Sequence, residues 1–137
     1  MSILKFNPIY MQRVWGGRRL EESFGRKLPE GKKIGEAWEL VDREDAQSVV
    51  ADGPLAGHTL RALMETGCSD LLGESWPATK PFPVLVKWLD CCERLSLQVH
   101  PPVSAASLLG GEPKTENWYV AEASPEARLY AGLRNGV

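Results

Sequence analysis

Cysteine and histidine are scarce in this chain. Its 137 residues include three cysteines and two histidines. The cysteines are Cys68 and the neighbours Cys91-Cys92, which do not readily bridge each other, and no CxxC or Cys/His spacing of a structural zinc site occurs. A disulfide framework is thereby excluded, and reduced thiols in a cytoplasmic setting are expected. Charge of one sign is also lacking: 16 Lys and Arg against 18 Asp and Glu leave a formal net charge of −2. Bulk electrostatics therefore offers nothing to a nucleic acid or an acidic membrane surface. No apolar run approaches a membrane span, and Met1-Ser2-Ile3-Leu4-Lys5-Phe6-Asn7-Pro8 lacks the apolar core of a signal peptide. No internal repeat or low-complexity tract is present. What remains is ordinary globular material, 43% hydrophobic and 25% charged, of a length suited to one domain or part of a larger one.

The pattern is mainly β. Short extended runs are expected at 3–10, 34–41, 47–51, 83–90, 95–100, 114–121 and 127–133, with turns between them carrying Gly, Pro, Asn and Asp. Trp15-Gly16-Gly17 reads as a turn whose glycines can take positive φ. The run 83–90 is apolar on both faces apart from Lys87, the pattern of a central strand, and should pair antiparallel with 95–100. The clearest helix is 59–66, with Thr59 as N-cap and Gly67 in the C-cap position. Brief helices are expected at 19–24, ended by Gly25, and at 103–109, ended by Gly110. Asn135-Gly136 is a hairpin signal at the end of the given sequence.

The stretch Leu95-Ser96-Leu97-Gln98-Val99-His100-Pro101-Pro102 carries the chemistry. In a strand, successive side chains point to opposite faces. Leu95, Leu97 and Val99 would anchor one face; Ser96, Gln98 and His100 would form a polar row on the other, without the Lys, Glu or Arg of a solvated surface. Lys114, Glu116, Trp118 and Val120 would likewise share a face of the later strand. Gln98, His100 and Glu116 together offer an amide oxygen, an imidazole nitrogen and a carboxylate to one ion. With one carboxylate and two neutral donors, a bound zinc would keep net positive charge and polarise a carbonyl. Spacing alone leaves a second and commoner reading open, a Gln-x-His pair that is merely hydrogen-bonded. Glu36 and Glu39 place one carboxylate on each face of the run 34–41, so that either one lies at an edge in water or one faces a cavity. His58, in a Gly-His-Thr loop, reads as a surface residue.

Three blocks, Phe82-Pro83-Val84-Leu85-Val86-Lys87-Trp88-Leu89-Asp90, Leu95-Ser96-Leu97-Gln98-Val99-His100-Pro101 and Pro113-Lys114-Thr115-Glu116-Asn117-Trp118-Tyr119, closely resemble type I mannose-6-phosphate isomerase. Trp15-Gly16-Gly17 and Gly35-Glu36-Ala37-Trp38-Glu39 resemble two further blocks in the same order. The resemblance implies a cupin-type (RmlC-like) jelly-roll barrel, incomplete here, with one or two short helices. It implies a zinc-dependent enzyme interconverting mannose 6-phosphate and fructose 6-phosphate through an enediol-type proton transfer. On the matching positions Gln98, His100 and Glu116 would hold one Zn2+ per chain, Ser96 and Lys114 would bind the sugar phosphate, and Lys114 is the candidate for a catalytic role. Trp15 and Glu36 would border the pocket. The family's fourth ligand, a histidine, lies later in the barrel, whereas this chain holds only His58 and His100. Residues 1–137 are therefore expected to be the N-terminal portion of a single catalytic domain, inactive alone. Two rivals remain: a non-catalytic cupin-like metal- or sugar-binding or regulatory module, and an unrelated structural β-domain.

Overall fold

The computed structural model of the chain describes residues 3–132. Two compact units result, Met1–Ser96 and Leu97–Val137. The first contains strands β1 (Ile9–Gly17), β2 (Ile34–Leu40) and β3 (Val86–Leu89) and helices α1 (Arg19–Phe24) and α2 (Leu60–Leu72); the second contains α3 (Val103–Leu109). The strands form one antiparallel sheet in the order β1-β2-β3.

Tyr10, Ala37 and Trp88 lie opposite one another across the three strands. Tyr10 and Trp88 pack on the buried cluster of Leu20, Leu28, Ile34 and Ala37. Phe24, on the last turn of α1, stacks at a tilt on Trp88 with ring centroids 4.7 Å apart, an arrangement that adds to the area both rings bury. α1 stops at Gly25, whose φ of 61° is the left-handed C-cap conformation. Arg18 then ties the following loop, donating to the carbonyls of Pro29 and Lys32 at 2.9 Å each. It also pairs with Glu21. The Arg18 hydrogen bond is the main reason the Glu21 carboxyl lies below its ordinary value. A carboxyl depressed by folding contributes stability above its unfolded value, and that contribution is lost as pH falls through the folded one.

The run Trp15-Gly16-Gly17 is not a turn. It completes β1, and its glycines serve close approach instead of positive φ. A Cβ on Gly16 would run into the backbone of Ile34 and Gly35, and one on Gly35 would come within 2.6 Å of Arg13 Cβ and of the Trp15 ring. The expected run 3–10 accordingly shifts, with β1 beginning after Pro8.

Helix α2 confirms its cap. Thr59 accepts a hydrogen bond from the Ala62 amide at 3.1 Å. Gly67 departs from helical geometry at φ −153°, but the chain resumes its turn and reaches Leu72. Leu60 and Met64 are buried against Phe6, Leu40, Leu71, Leu72, Trp76, Ala78 and Phe82, and full burial of each such side chain contributes about 1.5–3 kcal/mol. Thr59→Ala is expected to cost about 1 kcal/mol, read as a lower urea midpoint at unchanged m-value. The expected strand 47–51 is reduced to single bridges, Asp42 to Gln47, Val49 to Thr59 and Phe6 to Val50.

Residues 83–90 do not form a central strand. β3 is an edge, shorter than expected, with Val84, Leu85 and Val86 exposed. Its partner is β2 and not 95–100. Residues 95–100, 114–121 and 127–132 take no ladder bonds among the described residues. Strand patterning there lacks a neighbour to pair with, and a single strand has no stability of its own. Leu133 and the Asn135-Gly136 signal lie outside the described residues.

Candidate active site

The candidate ligands lie in the second unit, on either side of α3. The His100-Pro101-Pro102 run leads into that helix. Pro102 occupies its N-cap position with extended backbone (φ −63°, ψ 158°), and its carbonyl accepts from the Ala105 and Ala106 amides at 3.0 Å each. At the other end Gly110 adopts φ 60° and the Gly111 amide donates to the Ala106 carbonyl at 3.0 Å. Gly111 sits so close to Pro101 that a Cβ there would come within 2.9 Å of the ring. The chain leaving α3 therefore returns past the residue that follows His100.

Beyond that return, Lys114 Nζ and Glu116 Oε1 form an ion pair at 3.0 Å. The two side chains lie on the same side of the chain, as strand patterning requires for residues two apart. Both are about one-third exposed, at 37% and 35%, and such pairs contribute little to stability. Gln98 and His100 are exposed, as is Ser96 at the end of the first unit. Of the candidate donors, the His100 imidazole and the Glu116 carboxylate are ordinary zinc ligands, and the Gln98 amide oxygen is an uncommon one. Among the described residues no three His, Cys, Asp or Glu side chains gather around a metal-sized point, and the candidate trio contains only two residues of those types.

A second polar constellation escapes strand-by-strand reading. The Glu36 side chain on β2 is only 10% exposed, yet it meets three donors. Arg13 from β1 lies at 3.2 Å, Trp38 Nε1 at 2.7 Å and Lys87 from β3 at 3.6 Å. Neither carboxylate of this strand points into water, because Glu39 pairs with Arg26 at 3.0 Å on a part-buried surface. Lys87 was visible in the sequence as the sole charge between Pro83 and Leu89. Its convergence with Arg13 and Glu36 depends on the strand order and on the irregular register between Met11 and Gln12.

The Cys91-Cys92 pair belongs to the turn after β3. The Cys92 amide donates to the Trp15 carbonyl at 2.9 Å, and Asp90 accepts from the first amide of α1, Arg19, at 2.6 Å. Partial burial, then the Asp90 carboxylate, pushes both thiols up from their ordinary value, so they stay protonated at neutral pH. These residues hold the turn after β3.

A three-stranded antiparallel sheet with few helices is thus followed by a unit that carries Gln98-x-His100 and Lys114-x-Glu116 on either side of a short helix. The family described as phosphomannose isomerase type I, catalytic domain, matches residues 3–129. The chain belongs to that family. It is 38% identical over 131 residues to "Probable mannose-6-phosphate isomerase GmuF" of Bacillus subtilis, covering 94% of this chain and 40% of the relative. It is 36% identical over 131 residues to mannose-6-phosphate isomerase ManA of the same organism, with the same coverage. The crystal structure of the Bacillus subtilis mannose 6-phosphate isomerase superposes with a TM-score of 0.70 at 32% identity, over 82% of this chain and 35% of that one. A mutant of phosphomannose isomerase from Salmonella typhimurium shares the fold, with a TM-score of 0.67 at 24% identity over 79% of this chain and 28% of that one. The chain thus spans about two-fifths of the length of the curated relatives it matches. No helix among the described residues is long and apolar enough to cross a membrane.

Proposed function

We propose that this chain supplies the substrate-facing portion of a zinc-dependent cupin-type jelly-roll isomerase that interconverts mannose 6-phosphate and fructose 6-phosphate. In this reading residues 1–137 are one part of a single catalytic domain working in the cytoplasm, and Gln98, His100 and Glu116 hold the metal. The observation that carries it is the joint presence of Gln98-x-His100 and Lys114-x-Glu116 within the region that matches the isomerase family.

Isomerisation moves a proton between adjacent sugar carbons while negative charge develops on the neighbouring oxygens. Zinc, when bound, supplies Lewis-acid stabilisation of that charge. Lys114 brings a positive charge two residues from a ligand carboxylate, where its ammonium can stabilise a developing oxyanion, steer the phosphate or hold the transferred proton. Ser96 offers a hydroxyl to the sugar.

The test replaces the matched region of Bacillus subtilis ManA with residues 3–129 of this chain. The chimera is expected to retain stoichiometric zinc and to form fructose 6-phosphate in a coupled assay. His100→Ala and Glu116→Gln should each lower kcat/KM by about 1,000-fold, since a Lewis-acid metal contributes several kcal/mol of charge stabilisation. Stoichiometric zinc without isomerisation would leave the binding-module reading standing, and absence of zinc would remove the metal site.

A further inference from the structure

Two thiols on neighbouring residues stand at the turn after β3, and both are free and exposed. The Cys92 thiol donates to Asp90 Oδ1 at 3.5 Å and fills space that Gly17 leaves open, where a Cβ would come within 2.3 Å of the sulfur. Burial raises the Cys91 thiol most, and the charges of Asp90 and Cys92 raise it further, so the two sulfurs lie within electrostatic reach of each other. Keeping both thiols protonated slows alkylation and disulfide exchange, which are reactions of the thiolate. A disulfide between neighbours would also have to bring the sulfurs to about 2.0 Å around a planar peptide. A thiophilic centre bonded to both sulfurs bridges a wider gap. Zinc takes four ligands, and among the described residues no third His, Cys, Asp or Glu joins the pair around a metal-sized point. The pair therefore suits a centre that needs only two protein sulfurs. The peptide between the cysteines also has a partner of its own, because the Cys92 amide donates to the Trp15 carbonyl at 2.9 Å. A ring closed through both sulfurs contains the group that ties this turn to the end of β1.

We infer that Cys91 and Cys92 together chelate a trivalent arsenical of the arsonous acid type, R–As(OH)2, and that closing the ring withdraws the Cys92 amide from Trp15. Two S–As bonds form and two As–OH bonds break. Each thiol proton leaves with a hydroxide as water, arsenic stays trivalent, and no oxidant or reductant takes part. The second sulfur binds at high effective concentration once the first is attached, so the chelate should outlast a single-thiol adduct by about 100-fold or more in affinity. The site owes nothing to the isomerase reading.

The full chain is titrated with phenylarsonous acid in excess glutathione and followed by intact mass. The expected product carries one phenylarsenic group in place of two hydrogens, resists glutathione, and is released by 2,3-dimercaptopropanol. Cys91→Ser and Cys92→Ser should each weaken binding by about 100-fold, whereas Cys68→Ser should bind as the parent does. Serine at 92 keeps a donor for Asp90, and Cys91 is exposed, so the circular dichroism of both variants should match the parent. Exchange of the Cys92 amide should speed up by about tenfold or more when the arsenical binds. Binding that survives both single variants, or that is lost in Cys68→Ser, overturns the inference, as does an adduct that glutathione strips. Chelation by both cysteines with unchanged exchange at Cys92 overturns the link to Trp15.

Discussion

Asp42→Ala is expected to lower the stability of the Met1–Ser96 unit by about 3–5 kcal/mol, the usual cost of breaking a buried ion pair from one side. The Asp42 side chain has no exposure, and it gathers three separate parts of the chain. Arg61 from α2 approaches at 2.8 Å, Gln47 donates at 2.8 Å and the Phe82 amide donates at 2.7 Å. Removing the carboxylate leaves the part-buried Arg61 guanidinium and the Phe82 backbone N–H without this acceptor, while the Gln47 amide keeps the Arg43 carbonyl at 2.6 Å. It also frees α2 and the approach to β3 together. Asp42→Asn keeps an acceptor for the Phe82 amide and should cost less, about 1–3 kcal/mol. Urea midpoints of the two variants check the order, and a loss below 1 kcal/mol for the alanine variant would show that the network is not cooperative. Domains of this kind have only about 5–15 kcal/mol in total, so partial unfolding at 37 °C is the expected cellular consequence.

Gly16→Val should be the second most damaging change, by about 2–3 kcal/mol, the scale of forced overpacking. The obstruction at Gly16 is backbone, the Ile34–Gly35 segment of the neighbouring strand, and backbone cannot rotate away as a side chain can. The β1–β2 pairing must open, and Glu36 one residue further along β2 loses its approach to Arg13. Gly67→Ala is the matched control. A Cβ there meets nothing nearer than Asp70 Oδ2 at 4.0 Å, so its stability should stay within about 0.5 kcal/mol of the parent. Thermal unfolding of both variants, read by near-ultraviolet signal from the tryptophans, distinguishes a sheet-specific loss from a general sensitivity to glycine replacement.

The N-cap of α2 and the ends of α1 and α3 were legible because their chemistry is local, whereas Gly67, expected as the C-cap, only interrupts α2, which runs on to Gly73. Thr59 caps α2 through an amide three residues away, and Gly25 and Gly110 terminate α1 and α3 in left-handed conformations. The family was legible because its motifs are contiguous, from Trp15-Gly16-Gly17 to Lys114-Thr115-Glu116, and the match over residues 3–129 bears this out. The misread elements share one cause. Trp15-Gly16-Gly17 looked like a turn because glycine is permissive, but here glycine answers the crowding of a neighbouring strand. Residues 83–90 looked central because they are apolar, yet β3 is an edge.

Residue order alone was enough to specify the N-cap of α2, the ends of α1 and α3 and the isomerase family, and to nominate Gln98, His100 and Glu116 as candidates, since each motif is contiguous in sequence. Only the folded chain decided that Glu36 would sit between Arg13 and Lys87. The same holds for Asp42 joining α2 to Phe82 and for β3 pairing with β2 instead of with 95–100. Those outcomes depend on which distant segments meet, and pairing across long sequence separations is set by the packing of the whole unit, which no local pattern encodes.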